Sequence, residues 1–283
     1  MGPEIVREAQ QMQRLATRHR RKGRRIAVVP TMGALHEGHR ALIREGRRRS
    51  DVLVVTIFVN PAQFAPHEDL ARYPRTFDAD LSMCRDEGVD FVFAPSDETM
   101  YPPGYGTYVT VEDLSKGLCG KSRPTHFRGV ATVVTKLFLL TQPDAAIFGW
   151  KDAQQLVIIR RMARDLHIPV EIVPVETVRD ADGLALSSRN KYLSPEERAE
   201  APVLCRSLQN ARMLIEKEDI RDTAVLRRAI TGQIERESKG RIDYVEIVSL
   251  QTLEPLAQIA RDNTLIALAC YWGSTRLIDN IRV

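Results

Sequence analysis

The sequence lacks the features that would place it among disulfide-rich, secreted or membrane-spanning proteins. Its four cysteines, Cys84, Cys119, Cys205 and Cys270, are scattered and form no C-x-x-C pair, which favours a reducing compartment and free thiols packed as small apolar side chains. No apolar run reaches the length of a membrane span. Residues 1–25 lack the apolar stretch of a secretory signal. We therefore expect a cytoplasmic protein without a membrane partner.

A strong charge imbalance is also missing, since the formal net charge is only +4 over 283 residues. This mild excess suits small anionic substrates and does not by itself indicate nucleic acid. A basic cluster ends the first predicted helix, Glu4–Lys22, where cations compensate the helix dipole. Nucleic-acid binding is the less favoured alternative explanation for this basic cluster. No internal repeat or low-complexity segment occurs.

What the sequence does contain is a regular alternation of short apolar strands and amphipathic helices. This pattern predicts an α/β fold, a Rossmann-like doubly wound parallel sheet with right-handed crossovers. Pro30 is expected to end the first strand, because proline has no N–H to donate. The predicted strands span residues 25–29, 51–60, 90–94, 144–149 and 169–175, and the helices span 39–49, 78–87, 130–140 and 154–166.

The pattern changes between residues 176 and 185, which predicts a boundary between domain 1–177 and domain 178–283. Ser194-Pro195-Glu196-Glu197 is a strong helix start, with a capping serine, proline at the first position and acidic residues in the first turn. Helices over 195–217 and 223–237 then precede apolar segments at 242–249, 264–271 and 275–281. We expect a smaller α+β domain with a mostly antiparallel sheet, acting as a lid and as part of a dimer surface.

The most informative stretch is the strand–turn–helix junction that ends in His36-Glu37-Gly38-His39. A helix start after a parallel strand is a phosphate site, because free N–H groups and the positive dipole end face the ligand. His36 and His39 share a helix face and can donate to phosphate oxygens or to a leaving oxygen. Two purely structural histidines are the competing interpretation. A metal site is less favoured, since no third ligand follows at metal spacing.

Polar groups also follow the other predicted strands. Asn60 and Gln63 stand at the end of the second strand, where their amides can meet a small polar substrate. Lys151 and Asp152 open the helix after Gly149, and Lys151 can bind phosphate as a point charge. At each place a helix cap or an ordinary turn is the alternative.

Two further segments carry groups for anions. Ser187-Ser188-Arg189 offers two hydroxyls and a guanidinium fork that can grip a triphosphate. Residues 120–129 form a polar, basic segment with glycine at both ends, predicted as a mobile loop. Its cations could close over phosphate or carboxylate. A plain exposed loop is the alternative for both segments. The candidate groups of the second segment are Lys121, Arg123, His126 and Arg128.

Taken together, these motifs resemble the pantothenate synthetase (pantoate–β-alanine ligase) family of the H-x-G-H nucleotidyltransferase superfamily. The matching stretches are Pro30–His39, Phe58–Phe64, Lys121–Val130 with Gly149–Gln155, Leu184–Asn190 and the C-terminal Arg276–Asn280. The resemblance covers nearly the whole chain. It implies that (R)-pantoate, β-alanine and ATP give pantothenate, AMP and pyrophosphate through a pantoyl adenylate. It also implies Mg²⁺, bound mainly through the ATP phosphates, and a homodimer.

The resemblance further implies a role for each matching residue. His39 would be the proton donor, with His36, Lys151 and Arg189 completing the catalytic set. Gln63 would bind pantoate and later β-alanine, Gln155 would bind pantoate, and Asn60 would belong to the same pantoate- and β-alanine-binding set. Two positions depart from the family pattern, Trp150 within Gly-x-Lys-Asp and Thr125 before His126. The ATP-binding residues would be Met32, Gly33, Ala34, Leu35, His36, Glu37, Gly38, His39, Gly149, Trp150, Lys151, Asp152, Val178, Leu186, Ser187, Ser188 and Arg189.

Two other functions compete with this interpretation. Another nucleotidyltransferase, such as a phosphopantetheine or nicotinamide-mononucleotide adenylyltransferase, would share H-x-G-H, but the Asn60–Phe64 and Gly149–Gln155 motifs disfavour it. A non-catalytic nucleic-acid-binding module would need strongly salt-dependent binding and would leave the motifs at the strand ends unexplained.

Overall fold

A computed structural model describes residues 2–66 and 68–283. Within this part of the chain the strands are β1 Glu4–Val6, β2 Ile26–Thr31, β3 Val52–Ile57, β4 Phe91–Phe93, β5 Ala145–Gly149, β6 Glu171–Val175, β7 Arg241–Ser249, β8 Thr264–Trp272 and β9 Thr275–Arg282. The helices are α1 Ala9–Arg21, α2 Glu37–Arg49, α3 Phe77–Asp86, α4 Asp97–Met100, α5 Cys119–Ser122, α6 His126–Thr141, α7 Ala153–Asp165, α8 Pro195–Glu200, α9 Val203–Glu218 and α10 Thr223–Glu237.

The first six strands form one parallel sheet in the order β1-β4-β3-β2-β5-β6. Its central strands are buried on both faces because helices cover both sides, as a parallel sheet requires. Val28 of β2 packs into one apolar layer with Val134 of α6, whereas Val29 packs into the other with Ile43 of α2. The predicted Rossmann-like doubly wound sheet is confirmed, and the carboxyl ends of β2, β3 and β5 meet at one edge.

The N-terminal prediction of one helix from Glu4 to Lys22 is wrong at its start. Glu4–Val6 is instead a strand that pairs in parallel with Phe91–Phe93 and buries Val6 completely. Ile5 and Val6 are β-branched and fit a pleated edge, and the open side of β4 decides between helix and strand. The helix begins only at Ala9.

Pro30 does not end its strand, since β2 continues to Thr31 and Pro30 lies opposite Thr56 of β3. The N–H and C=O of one residue leave a strand on the same side, and alternate residues face the same neighbour. Ile26 donates to Asp144 on the β5 side, so Pro30 faces that side too. The β2–β5 pairing covers only Ala27 and Val28. The missing N–H of Pro30 therefore lies beyond the end of the hydrogen-bonded pairing between β2 and β5.

The segment predicted as a mobile loop at 120–129 is mostly helical. Residues 119–122 form the short helix α5, and α6 begins at His126 rather than at Val130. The early start brings His126 and Arg123 against the backbone of Gln63. These long-range contacts are invisible to a local sequence pattern.

The C-terminal part contains the expected antiparallel sheet in the order β7-β8-β9. Ser194 and Glu197 form the capping box of α8, which confirms the predicted helix start. The single helix predicted over 195–217 is wrong, because α8 ends at Glu200 and α9 starts at Val203. Pro202 sits between them and interrupts helical hydrogen bonding, since it has no N–H.

The two parts of the chain share apolar contacts. Val248, Leu265 and Ala267 of the small sheet belong to the same buried cluster as Leu156 of α7. The division at residue 177 therefore stays a prediction. All four cysteines are buried and free, as expected from their spacing. No described helix has both the length and the apolar character of a membrane span.

Candidate active site

The turn after β2 is held by a buried carboxylate that the sequence motifs do not include. Gly33 and Ala34 both have positive φ, +80° and 50°. The oxygens of Asp80 on α3 accept the backbone N–H groups of Ala34 and Leu35 over 3.0 and 2.8 Å. Only 2% of Asp80 is exposed. This bidentate contact stabilises the strained turn, so the turn is already shaped before any ligand arrives.

His36 and His39 form a capping box at the start of α2. The Nδ1 atom of His36 accepts the N–H of Gly38 over 3.2 Å, and Nδ1 of His39 accepts the N–H of His36 over 3.3 Å. The two ring centroids are 4.1 Å apart. Because both Nδ1 atoms are acceptors, each neutral ring carries its proton on Nε2. The pair can therefore offer two Nε2–H donors.

Burial keeps this pair uncharged. It is the main cause that lowers the pKa of His36 to about 4, with the charge of Lys151 adding to the effect. Burial also lowers the pKa of His39 to about 3, helped by His36. Glycine is required at position 38, since a Cβ there would lie 2.9 Å from the ring of His36.

Asn60 is a fully bonded structural residue at the end of β3. Its Oδ1 accepts the N–H of Ala62 over 3.3 Å and the O–H of Tyr101 over 2.7 Å. Its Nδ2 donates to the carbonyl of Gly129 over 3.2 Å and to Oε1 of Gln63 over 3.0 Å. Every donor and acceptor of the Asn60 amide is thus engaged inside the protein.

Gln63 is anchored from several sides and turns its Nε2 atom towards Met32 Sδ, 3.0 Å away. Its backbone carbonyl accepts from His126 Nδ1 over 2.9 Å and from Arg123 over 3.3 Å. Arg123 also donates to His126 Nε2 and is paired with Glu68. Burial first, and then the charge of Arg123, lowers the pKa of His126 to about 3. This neutral imidazole is a fixed support for Gln63.

The junction after β5 presents Lys151 to the same region. A 3₁₀ turn, Trp150–Asp152, joins β5 to α7, and Lys151 Nζ lies 3.5 Å from Asp152 Oδ1. Trp150 is buried, and the guanidinium of Arg282 lies 4.2 Å from its ring. Trp150, which departs from the family pattern, therefore affects the packing next to the site and does not line the cavity itself.

Two neighbouring glutamines on α7 have different roles. Gln154 is buried, accepts the N–H of Cys119 and donates to the carbonyls of Leu114 and Gly117. Gln155 lines the cavity described below, and its side chain makes no hydrogen bond to residues 2–66 or 68–283. Gln155 is therefore the one of the two with an amide available to a ligand.

The Ser187–Arg189 segment closes the other side. Ser187 Oγ accepts the N–H of Arg189 over 3.3 Å, and Ser188 Oγ lies 3.1 Å from the hydroxyl of Tyr73. Arg189 donates through Nε and Nη2 to the two carboxylate oxygens of Asp69, over 2.8 and 3.0 Å. Asp69 and Tyr73 were missed by the sequence motifs. Within residues 2–66 and 68–283, Nη1 of Arg189 makes no hydrogen bond, so it can serve a ligand.

These groups surround one cavity of about 420 Å³. The predicted residues on its wall are Met32, His36, Gly38, His39, Asn60, Gln63, Gly149, Lys151, Asp152, Gln155, Val178, Leu186, Ser187, Ser188 and Arg189. Five predicted ATP-binding residues do not line it, namely Gly33, Ala34, Leu35, Glu37 and Trp150. Of the candidate groups in segment 120–129, Arg123 and His126 line the cavity, whereas Lys121 and Arg128 do not.

The small sheet contributes to the site through Asn280 on β9. Its Nδ2 donates to the backbone carbonyls of Trp150 and Lys151 over 2.9 and 3.1 Å. The C-terminal motif of the sequence pointed to this stretch without giving it a role. The turn that carries Lys151 is therefore braced from the C-terminal part of the chain.

A Rossmann-like sheet with an H-x-G-H turn, a lysine turn and an S-S-R segment around one cavity defines the H-x-G-H nucleotidyltransferase class of α/β enzymes. Within this class, the family model for pantoate–β-alanine ligase matches residues 4–282. The chain belongs to the pantoate–β-alanine ligase (pantothenate synthetase) family, whose members condense pantoate with β-alanine, using ATP, through an adenylate.

Curated relatives support this assignment over the full length. The chain is 55% identical to the pantothenate synthetase of Moorella thermoacetica over 93% of this chain and 92% of that protein. It is 51% identical to the pantothenate synthetase of Myxococcus xanthus over 100% and 97% of the two chains.

Solved structures agree with these relatives. The pantothenate synthetase of Thermus thermophilus superposes with a TM-score of 0.93 at 45% identity, covering 99% of both chains. The pantoate–β-alanine ligase of Francisella tularensis, described as complexed with β-γ ATP and β-alanine, gives 0.77 at 32% identity over 99% and 97% of the chains.

Proposed function

We propose that the cavity between the two sheets is where this chain performs both half-reactions, with ATP on the histidine side and pantoate at Gln63 and Gln155. The observation that carries this placement is that two neutral imidazoles, Lys151 and Arg189 line the same cavity as the two glutamine amides. A phosphate chain needs cations and N–H donors, whereas a hydroxy acid needs directed polar contacts.

In the first half-reaction the pantoate carboxylate attacks the α-phosphorus of ATP in line. An O–P bond forms to the carboxylate, the α–β bridging P–O bond breaks, and pyrophosphate leaves. The protein need not form a covalent bond to the substrate, so its contribution to catalysis is mainly the positioning of the reactants and the stabilisation of charge. Lys151 Nζ and Arg189 Nη1 would stabilise the phosphates as fixed cations.

His36 and His39 would act as neutral hydrogen-bond donors at this step. Their Nδ1 atoms are engaged as acceptors, and their lowered pKa values leave no extra proton to transfer near neutral pH. Each Nε2–H can stabilise negative charge that grows on a phosphate oxygen. This refines the proton-donor role that the family resemblance implies for His39.

In the second half-reaction the neutral amine of β-alanine attacks the carbonyl carbon of the adenylate. The C–N bond forms, the C–O bond to AMP breaks, and the surplus amine proton passes to solvent. Gln63 would serve both substrates in turn. Enclosure by Tyr73, Arg123 and the small sheet would protect the adenylate from hydrolysis.

Magnesium fits this site as an ion bound to nucleotide. Among the described residues no group of three or more metal-type side chains comes together. Mg²⁺ typically keeps several waters and binds substrate phosphates with one or two carboxylates. Asp152, which lines the cavity beside Lys151, would be the carboxylate that supports it. The ion would neutralise charge on the phosphates.

The family resemblance also suggests an oligomeric state and a cellular compartment for this protein. We propose a homodimer in the cytoplasm, with residues 178–283 acting as the part that covers the nucleotide. Sedimentation equilibrium of the purified chain tests the dimer directly, and a mass near one chain, 32.0 kDa, would contradict it.

The experiment that tests the placement is pyrophosphate–ATP exchange with pantoate present and β-alanine absent. Exchange that requires pantoate is expected for wild type and should fall sharply in Lys151→Ala. Gln155→Ala should raise the pantoate KM, whereas Gln154→Ala should mainly lower thermal stability. A Gln155→Ala variant with an unchanged pantoate KM would remove that residue from the binding site.

A further inference from the structure

A relay of hydrogen bonds leads from Tyr101 to the cavity. The Tyr101 O–H donates to Asn60 Oδ1 over 2.7 Å, and Asn60 Nδ2 donates to Gln63 Oε1 over 3.0 Å. Tyr101 directly follows α4, does not line the cavity and belongs to none of the sequence motifs. Its hydrogen bonds lead to the cavity through Asn60 and then Gln63.

Backbone groups determine the direction of both amides in this relay. The N–H of Ala62 can only donate, so the Asn60 atom that faces it is Oδ1. The carbonyl of Gly129 can only accept, so the atom that faces it is Nδ2. The second N–H of Asn60 then requires an acceptor, which must be Oε1 of Gln63. The Nε2 group of Gln63 is consequently the one turned towards Met32 and the cavity.

Aromatic packing holds Tyr101 at the head of the relay. The ring of Tyr105 meets it edge-on at 5.0 Å, and the ring of Phe58 lies at 6.3 Å. The ammonium group of Lys136 lies 5.4 Å from the Tyr101 ring and 4.4 Å from the Tyr105 ring. Burial raises the pKa of Tyr101, so its hydroxyl keeps the proton that it donates.

We propose that Tyr101 is a positioning residue for pantoate: its O–H reinforces the Asn60 orientation that the backbone sets, and so helps to hold the Gln63 carboxamide with its N–H towards the substrate. Gln63 then selects an oxygen acceptor on the substrate and disfavours a donor at that place. This inference rests on the proposed placement of pantoate at Gln63. It assigns a role to a tyrosine that is separated from the ligand by two residues, Asn60 and Gln63.

The first test compares Tyr101→Phe with Tyr105→Phe. Each change removes one hydroxyl from the packed pair of tyrosine rings. The Tyr101 hydroxyl donates to Asn60, whereas the Tyr105 hydroxyl makes no hydrogen bond to the described residues. Tyr101→Phe should raise the pantoate KM about three- to tenfold, the loss expected from one buried hydrogen bond. Its ATP KM should not change, and Tyr105→Phe should match wild type. An unchanged pantoate KM, or an equal rise for ATP, would contradict the relay.

A double-mutant cycle with Gln63→Ala tests whether the effect passes through Gln63. If it does, Tyr101→Phe should have no further effect on pantoate KM once Gln63 is absent. An undiminished effect of Tyr101→Phe in the Gln63→Ala background would overturn the proposal, because Tyr101 would then act by another route.

The direction of the amide is tested by Gln63→Glu. One carboxylate oxygen can still accept from Asn60, but the other would face the substrate as an acceptor. Gln63→Glu should therefore raise the pantoate KM more than Gln63→Ala does. Binding as tight as wild type would show that Gln63 does not act as a donor.

A measurement without substrate separates this proposal from the placement of pantoate. The side-chain NH₂ signals of Gln63, assigned by their loss in Gln63→Ala, should shift in Tyr101→Phe and not in Tyr105→Phe. No shift would overturn the relay. A shift combined with an unchanged pantoate KM in Gln63→Ala would instead overturn the placement of pantoate, and with it the selective role of Gln63.

Discussion

The histidine pair shows how burial changes the chemistry that a motif offers. Spacing alone predicted that His36 and His39 share a helix face, and the structure places their rings 4.1 Å apart. Their tautomers could not be predicted, because these depend on which backbone N–H each Nδ1 accepts. The pair therefore presents two oriented Nε2–H groups, as the proposed donor role requires.

This state can be observed by titration of the imidazole nitrogens. Long-range ¹⁵N–¹H spectra should show His36, His39 and His126 as neutral rings that do not titrate between pH 5 and 8. Their pKa values are lowered to about 4, 3 and 3, mainly by burial. The urea-unfolded chain is the control, since its histidines should titrate near pH 6.5. A midpoint near 6.5 for His39 in the folded protein would contradict the neutral-donor role.

Replacing His39 should affect the chemical step. His39→Ala is expected to slow adenylate formation by about 10²- to 10⁴-fold, the range for lost electrostatic or acid assistance. His39→Gln keeps an N–H donor and should lose less. Single-turnover formation of adenylate measures both variants. An equal loss in the two would argue that the imidazole does more than donate.

At the scale of elements, the 3₁₀ turn Pro61–Gln63 and helix α6 approach so closely that only glycine fits between them. A Cβ on Gly129 would lie 2.3 Å from the carbonyl oxygen of Ala62. Because that neighbour is backbone, relief would require α6 to move away from Asn60 and Gln63. The geometry of the glutamine is thus set by packing between two elements.

Gly129→Ala should therefore destabilise the fold by about 1–3 kcal/mol, the usual cost of overpacking, and should also raise the pantoate KM. Gly106→Ala is the matched control, since the nearest atom to its Cβ would be 4.0 Å away. Urea unfolding followed by circular dichroism measures both. Equal stability of the two variants would show that the close approach does not constrain α6.

Element prediction succeeded where a local pattern and the tertiary context agree. The strands β2, β3 and β5 are continuous apolar runs that any parallel sheet would bury. The start of α8 is likewise local, because the side chain of Ser194 itself caps the helix. The failures are positions decided by distant partners. Glu4–Val6 becomes a strand because β4 has a free edge, and α6 starts early because His126 and Arg123 support Gln63.

The candidate site was predicted in the same uneven way. Two cavity residues could be found from the sequence: Lys151 because it follows the end of β5, and Arg189 because it belongs to the Ser187-Ser188-Arg189 motif. Asp80, Asp69 and Tyr101 are hydrogen-bonded to Ala34, Arg189 and Asn60, and each lies far from its partner in sequence. No local spacing could have identified these supports.

At the scale of the whole molecule, the buried neutral histidines link folding to pH. Their folded-state pKa values lie below the unfolded value near 6.5. The unfolded chain therefore binds more protons in the window from about pH 6.5 down to 4, so stability must fall as the pH falls.

The free energy of unfolding should decrease between pH 7 and pH 5, by on the order of 1–2 kcal/mol for each of His39 and His126. Urea denaturation at the two pH values measures this change. His126→Gln is the comparison variant, because it cannot gain a proton on unfolding and should show a smaller decrease. A stability that is equal at pH 7 and pH 5 would contradict the burial of uncharged imidazoles.

The burial of all four cysteines makes the chain suitable for distance measurements between its two sheets. A thiol-reactive dye should label the native protein slowly, because burial raises the pKa of Cys84 and of Cys270 to about 12 and leaves little thiolate. One cysteine introduced at an exposed position of α3 and another at an exposed position of α10 would then be the fast-reacting thiols. Energy transfer between two dyes at these positions would report, in real time, whether the two parts of the chain approach each other during turnover.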